Sequence, residues 1–120
     1  MSALAGLRVM IVEDEALIAM MAEDMLDGIG CNVVATPATV RDAYAAFDAH
    51  DFDVAMLDVN LNGERSMGLA AALKQRGMPF VFTTGYGSDG VDAEHSEIEV
   101  LTKPYSLGEL EDALARTAGR

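Results

Sequence analysis

Three carboxylates, a hydroxyl and an ammonium stand at the ends of short apolar runs. Glu13 and Asp14 follow residues 7–12, Asp58 closes 53–58, Thr84 follows 80–83 and Lys103 follows 99–102. Carboxylates brought close together repel, so either some are protonated or a cation sits among them. Hard oxygen donors suit Mg²⁺ (or Mn²⁺); Mg²⁺ keeps several waters and typically takes one or two carboxylates plus a phosphate. With such a cation Asp58 stays ionised and nucleophilic, and an aspartyl nucleophile beside a divalent ion is a phosphoryl acceptor. The charge of a transferring phosphoryl group lies on its equatorial oxygens, so placed counter-charges matter more than acid–base groups. The metal would take one oxygen, Lys103 another and Thr84 the third.

Each part also has a bland reading. Asp14-Glu15 suits the cap and first turn of a helix, and Asp58 suits a turn. Thr84 suits a strand end, and Lys103-Pro104 an ordinary loop. Chance placement of all five at the ends of the right strands is a much weaker explanation than joint function.

The elements that must position them alternate regularly. Strand-like runs at 7–12, 32–36, 53–58, 80–83 and 99–102 are nearly continuous in apolar residues, as in a parallel sheet covered on both faces. Between them, 16–29 carries Leu17, Met20, Met21, Met25 and Ile29 on one helical face, and Val40, Ala43, Tyr44 and Phe47 fall at i, i+3, i+4, i+7. After a polar loop at 60–66, residues 67–76 form a third helix closed by Gly77 and Pro79. Residues 85–97 are glycine-spaced and acidic, without Lys or Arg, so a fourth helix there is short and weak or partly disordered. Ser106-Leu-Gly-Glu109 is a capping box opening a last helix with a Leu107, Leu110, Leu114 stripe. Right-handed crossovers then give a doubly wound α/β sandwich, in which ligands sit beyond the carboxyl ends of the strands.

Composition narrows the function classes. The chain has 120 residues, 51% hydrophobic and 23% charged, so one folded domain over residues 1–120 without an output domain is expected. A net charge of −12 opposes nucleic-acid binding by counterion release. The start lacks a basic and long apolar signal, and no run spans a membrane, so a cytoplasmic location is expected. Cys31 is a lone cysteine and reads as a buried strand residue.

Val-Glu13-Asp14-Glu, Leu-Asp58-Val-Asn-Leu, Phe-Thr-Thr84-Gly-Tyr and Thr-Lys103-Pro104 together resemble the receiver domain of bacterial two-component response regulators, over essentially the whole chain. The resemblance implies a single flavodoxin-like (βα)5 fold with strand order 2-1-3-4-5 and phosphorylation of Asp58 by a sensor histidine kinase. It implies Mg²⁺ held by Asp14, Asp58 and the backbone carbonyl of Asn60, with Glu13 acting through water. Thr84 would be the switch hydroxyl and Lys103 the phosphate-binding lysine. Pro79-Phe-Val-Phe-Thr-Thr-Gly-Tyr86-Gly resembles the subgroup with a Phe-Ala/Thr-Thr-Gly-Tyr-like strand-four motif, linked to HWE-type kinases.

Three positions depart from the common receiver pattern: Asn62 where Pro is usual, Ser66 where Gly is usual, and Val100 where the reporting Tyr or Phe stands. Without that aromatic the coupling must differ, with the acidic stretch after Thr84 rearranging and Tyr86 as candidate reporter. The expected product is a signalling phosphoacceptor rather than an enzyme, contacting a kinase and a downstream protein as a monomer or weak homodimer, without nucleic acid or membrane. It would signal by phosphorylation-dependent contact or act as a phosphate sink. The rival readings are a phosphorylation-independent pseudo-receiver used for docking, and an aspartyl phosphatase. The phosphatase would want a carboxylate where Asn60 stands.

Overall fold

Alternate residues of the inner strands enter two separate cores. Val9, Ile11, Val54, Met56 and Val81 face one apolar cluster, and Met10, Val12, Ala55, Leu57, Phe80 and Phe82 face the other. Side chains on a strand point alternately to opposite faces, so a strand buried on both sides must be apolar throughout, and only helices on both faces can cover it. The computed structural model describes residues 3–85 and 90–120. In it β1 (Arg8–Val12), β2 (Asn32–Ala35), β3 (Val54–Asp58), β4 (Phe80–Thr84) and β5 (Val100–Thr102) alternate with α1 (Ala16–Gly28), α2 (Val40–Ala49), α3 (Met67–Gln75) and α4 (Leu107–Ala118). All neighbouring strands of this sheet pair in parallel, in the order β2-β1-β3-β4-β5. The chain leaves β1 to one side for β2 and to the other for β3, and that reversal opens a crevice beyond their carboxyl ends.

The first core takes Leu26 of α1 with Leu110 and Leu114 of α4, and the second takes Phe47 of α2 with Leu69 and Leu73 of α3. Helix α1 buries only part of the expected stripe: Met25 and Ile29 pack, half-buried, on the first core. Ala19, Ala22 and Leu26 face the sheet, while Leu17, Met20 and Met21 are 68%, 59% and 52% exposed. The helix is apolar almost all round, so its period offered two faces, and the two alanines let its backbone lie close to the strands. Leu107 is likewise exposed, with Leu110, Ala113 and Leu114 forming the buried stripe of α4.

Two connections differ from the sequence reading in detail. The polar loop after β3 contains a small antiparallel hairpin in which Asn60 pairs with Arg65 and Leu61 with Glu64. Asn62 and Gly63 turn it with φ of 56° and 86°, the backbone that an Asn-Gly type I′ turn requires. Between β4 and β5, where the sequence predicts a weak or partly disordered fourth helix, residues 86–89 lie outside the described residues and those that follow hold a short 3-10 turn, Ala93–His95.

The capping box of α4 is present in both directions: Ser106 Oγ accepts from the Glu109 amide at 3.1 Å, and Glu109 Oε1 from the Ser106 amide at 3.1 Å. Ser106→Ala is expected to lower the unfolding free energy by about 1 kcal/mol and the melting temperature by about 4 °C, read by thermal denaturation followed by circular dichroism.

Candidate functional site

β1 and β3 end side by side, β5 ends one strand further across β4, and the residues at and just after these ends converge. Donor oxygens of Glu13, Asp14 and Asp58 lie within 4.8 Å of one another. Lys103, delivered by the end of β5, donates from Nζ to Glu13 Oε1 at 2.6 Å and to Asp58 Oδ2 at 2.8 Å. Glu13 and Asp58 are 4% and 6% exposed, so this bridge lies in a poorly solvated setting. The second oxygen of each is held by backbone: Glu13 Oε2 accepts from the Glu15 amide at 3.1 Å, and Asp58 Oδ1 from the Asn60 amide at 3.2 Å.

Asp14 is not a helix cap. Glu15 occupies the cap position of α1 without a side-chain bond, and Asp14 Oδ2 accepts instead from the Asn62 amide at 2.9 Å. That bond explains why a non-proline residue stands at 62: proline has no N–H to give. The hairpin tip thus fixes Asp14, and an Asn-Gly pair between strand-like residues was the signal that would have revealed it. Asp14, Asp58, Asn60, Gly85 and Lys103 line an open cleft of about 340 Å³.

Thr83 and Thr84 are both buried. The Thr84 carbonyl accepts from the Lys103 amide at 2.8 Å and the Thr83 carbonyl from the Val59 amide at 3.0 Å, so the main chain of β4 joins the strand carrying the lysine to the one carrying Asp58. Val100 pairs with Phe82 and packs, half-buried, on the second core. Tyr86 and Asp89 lie outside the described residues.

Charge is unbalanced here: three carboxylates face one ammonium. Burial pushes the Glu13 carboxyl up to about 7 despite the Lys103 hydrogen bond, and the neighbouring Asp58 adds to the push. Burial pulls the Lys103 ammonium down, but its hydrogen bonds to Asp58 and Glu13 outweigh that and hold it above its ordinary value. A site short of positive charge, built of hard oxygens and open to water, fits a hydrated divalent cation.

The family model for the response regulator receiver domain matches residues 9–115. The chain belongs to this family. Among curated proteins, the transcriptional regulatory protein TcrA of Mycobacterium tuberculosis is 33% identical over 113 residues, covering 88% of this chain and 44% of TcrA. This receiver therefore spans less than half the length of that relative. Among solved structures, SdrG from Sphingomonas melonis Fr1 matches with 45% identity and a TM-score of 0.83, covering 96% of this chain and 97% of SdrG. The BeF3-activated conformation of SdrG from Pseudomonas melonis Fr1 matches with 44% identity and a TM-score of 0.80, covering 92% and 95%.

Beyond the cleft, the acidic crossover of the receiver is tied down by cations. Arg65 of the hairpin donates to the Gly90 carbonyl and to Asp92, both at 2.6 Å. Lys74 of α3 donates to the Glu94 carbonyl at 2.9 Å and pairs with Glu97 at 2.5 Å, and Arg116 of α4 pairs with Glu99 at 2.5 Å. Asp92, Glu97 and Glu99 thus pair with cations of neighbouring elements, which lets a run without Lys or Arg of its own lie against the domain. No helix among the described residues is long and apolar enough to cross a membrane.

Glu13 binds its proton more tightly in the folded chain than at its ordinary value of 4.5. Folding then takes up a proton between those values, so stability is greatest below the lower one and falls as pH rises through the upper. In metal-free buffer the unfolding free energy is expected to drop by about 2 kcal/mol between roughly pH 5 and pH 7.5, and Glu13→Gln to remove most of that slope, as urea denaturation at the two pH values would read.

Proposed function

We propose that the chain accepts a phosphoryl group on Asp58 from a phosphohistidine of a sensor histidine kinase, of the HWE type on its strand-four motif. One observation carries this reading: a buried carboxylate at the end of β3 is gripped by a lysine and a backbone amide, with two further carboxylates at its side and an open cleft in front. An Asp58 carboxylate oxygen forms the new O–P bond as the P–N bond of the donor breaks, and the departing imidazole keeps the electron pair and takes a proton. Lys103 would leave its carboxylate pairing to meet the phosphoryl oxygens, and the Thr84 hydroxyl would meet another. Asp14, Asp58 and the Asn60 carbonyl would hold Mg²⁺, with Glu13 acting through water. The ion supplies positive charge to the phosphoryl oxygens.

Acid–base chemistry is not needed from the chain, since the transition state is loose and its demand is for placed charge. The chain is in this reading a signalling phosphoacceptor that acts in the cytoplasm through protein contacts. It catalyses only its own phosphorylation and dephosphorylation. The BeF3-activated form of SdrG supports a phosphorylation-dependent change of state over a pseudo-receiver role.

A donor protein has to cover the rim of the cleft to reach Asp58. Beside it lies an apolar pocket of about 270 Å³ lined by Ile18, Met21, Met25, Lys103, Pro104 and Tyr105, which shares Lys103 with the cleft. The exposed Leu17, Met20 and Met21 extend that apolar rim along α1. Exposed apolar groups beside an active site suit a partner surface.

With Mg²⁺ and acetyl phosphate, intact mass measurement is expected to show one added phosphoryl group on the wild type and none on Asp58→Asn. Modification of both proteins, or of neither, would refute the assignment. Met21→Glu is expected to slow transfer from a kinase that phosphorylates the wild type by about tenfold, since a charge buried in an apolar contact is costly, while acetyl phosphate labels it at the wild-type rate.

A further inference from the structure

Ser66 stands immediately before α3, where a serine ordinarily turns its hydroxyl to the free amides of the first helical turn. Here it makes no such bond. Its side chain is wholly buried, and Oγ lies 2.5 Å from the main-chain carbonyl oxygen of Asp58 and 3.1 Å from that of Val59. The Ser66 amide donates to the Val59 carbonyl at 2.9 Å. With one hydroxyl proton and the Val59 oxygen already served, the short bond to the Asp58 carbonyl is the one the hydroxyl makes. The helix start thus goes without a side-chain cap, and the hydroxyl is directed at the residue that carries the nucleophile.

The consequence runs through the peptide that follows. The 58–59 peptide is held at both ends, its amide by the Thr83 carbonyl at 3.0 Å and its carbonyl by Ser66, and together these set its plane and the direction in which Val59 and Asn60 leave the strand. The Asn60 amide, two residues on, is the group that donates to Asp58 Oδ1 at 3.2 Å. Lys103 fixes the other oxygen at 2.8 Å. The carboxylate is therefore held at three points, one on its main chain and one on each oxygen, and Ser66 is the only one of the three donors that does not face the cleft. Both ends of the hairpin serve the site: the Asn62 amide at its tip holds Asp14, and Ser66 at its base holds Asp58.

We propose that Ser66 is a positioning residue for phosphoryl transfer: its buried hydroxyl holds the Asp58 main chain so that the Asn60 amide stays aimed at the attacking carboxylate. This rests on the reading of Asp58 as phosphoacceptor. Rates of group transfer fall steeply with small misplacements of the reacting atom, so loss of the hydroxyl acts on the transfer step itself. A glycine or alanine at 66 would leave the loop able to form, since the Ser66 amide bond to Val59 needs no side chain.

The test compares the wild type with Ser66→Ala and Ser66→Thr. Single-turnover labelling by acetyl phosphate, at saturating donor and Mg²⁺, gives the transfer rate constant, and the ¹H–¹⁵N resonance and hydrogen exchange of the Asn60 amide are followed without donor. Ser66→Ala is expected to unfold cooperatively, to lose about tenfold in the rate constant, and to show a shifted, faster-exchanging Asn60 amide. Ser66→Thr, which keeps the hydroxyl, is expected to recover the rate to within about twofold of the wild type. A Ser66→Ala protein that is less stable yet transfers at the wild-type rate overturns the proposal, as does a slowed one whose Asn60 amide is unmoved. If threonine does not fit the buried position, the alanine comparison alone decides between these results. A wild type that takes no phosphoryl group refutes the receiver chemistry instead, while the Asn60 amide in Ser66→Ala still reports whether the hydroxyl positions it.

Discussion

The structure depends on three carboxylates that cannot comfortably share one small volume. Glu13, Asp14 and Asp58 meet because β1 and β3 are neighbours in the sheet, and each carboxylate is pinned by a donor from elsewhere in the chain. Lys103 reaches across to two of them, Asn60 and Glu15 offer amides, and Asn62 offers another to Asp14. Burial of Glu13, and then the neighbouring Asp58, push against the charged form more than the lone ammonium of Lys103 offsets, which leaves the site short of positive charge. That unmet demand makes the cleft receptive to a divalent cation and to the chemistry the cation permits.

The hairpin after β3 is where local structure and charge meet. It is too short to be stable alone, but it is held at its tip by Asp14, at its base by Ser66 and along its second strand by Arg65. The last contact leads away from the site. Arg65 grips Gly90 and Asp92 in the crossover before β5, and a side-chain carbon added at Gly90 would come within 2.8 Å of Val59 Cγ1, next in sequence to Asp58. Close contacts therefore join Asp58 to the crossover through the hairpin, on a different route from position 100, where Val100 stands.

Much of this was legible in the chain. Five apolar runs separated by helical periods specify a covered parallel sheet, because a strand buried on both faces has no room for polar residues. That Glu13, Asp14, Asp58 and Lys103 lie together was legible for a related reason: a charged residue at the end of such a run has to emerge at the strand end, where this kind of sheet opens to solvent. The face of α1 was not legible, since apolar residues on both sides make periodicity indifferent between them, and the sheet chose the alanines that allow close approach.

What the sequence by itself determined is the set of elements and the residues that end them, because hydrophobic period and turn chemistry act over a few neighbouring positions. What only the tertiary structure decided is which donor meets which acceptor. Asp14 accepts from an amide 48 residues away, and Lys103 reaches Glu13 across 90. Ser66 turns its hydroxyl from the helix it precedes to a carbonyl eight residues back. Such choices follow from distances set by the packed sheet, and no local pattern encodes them.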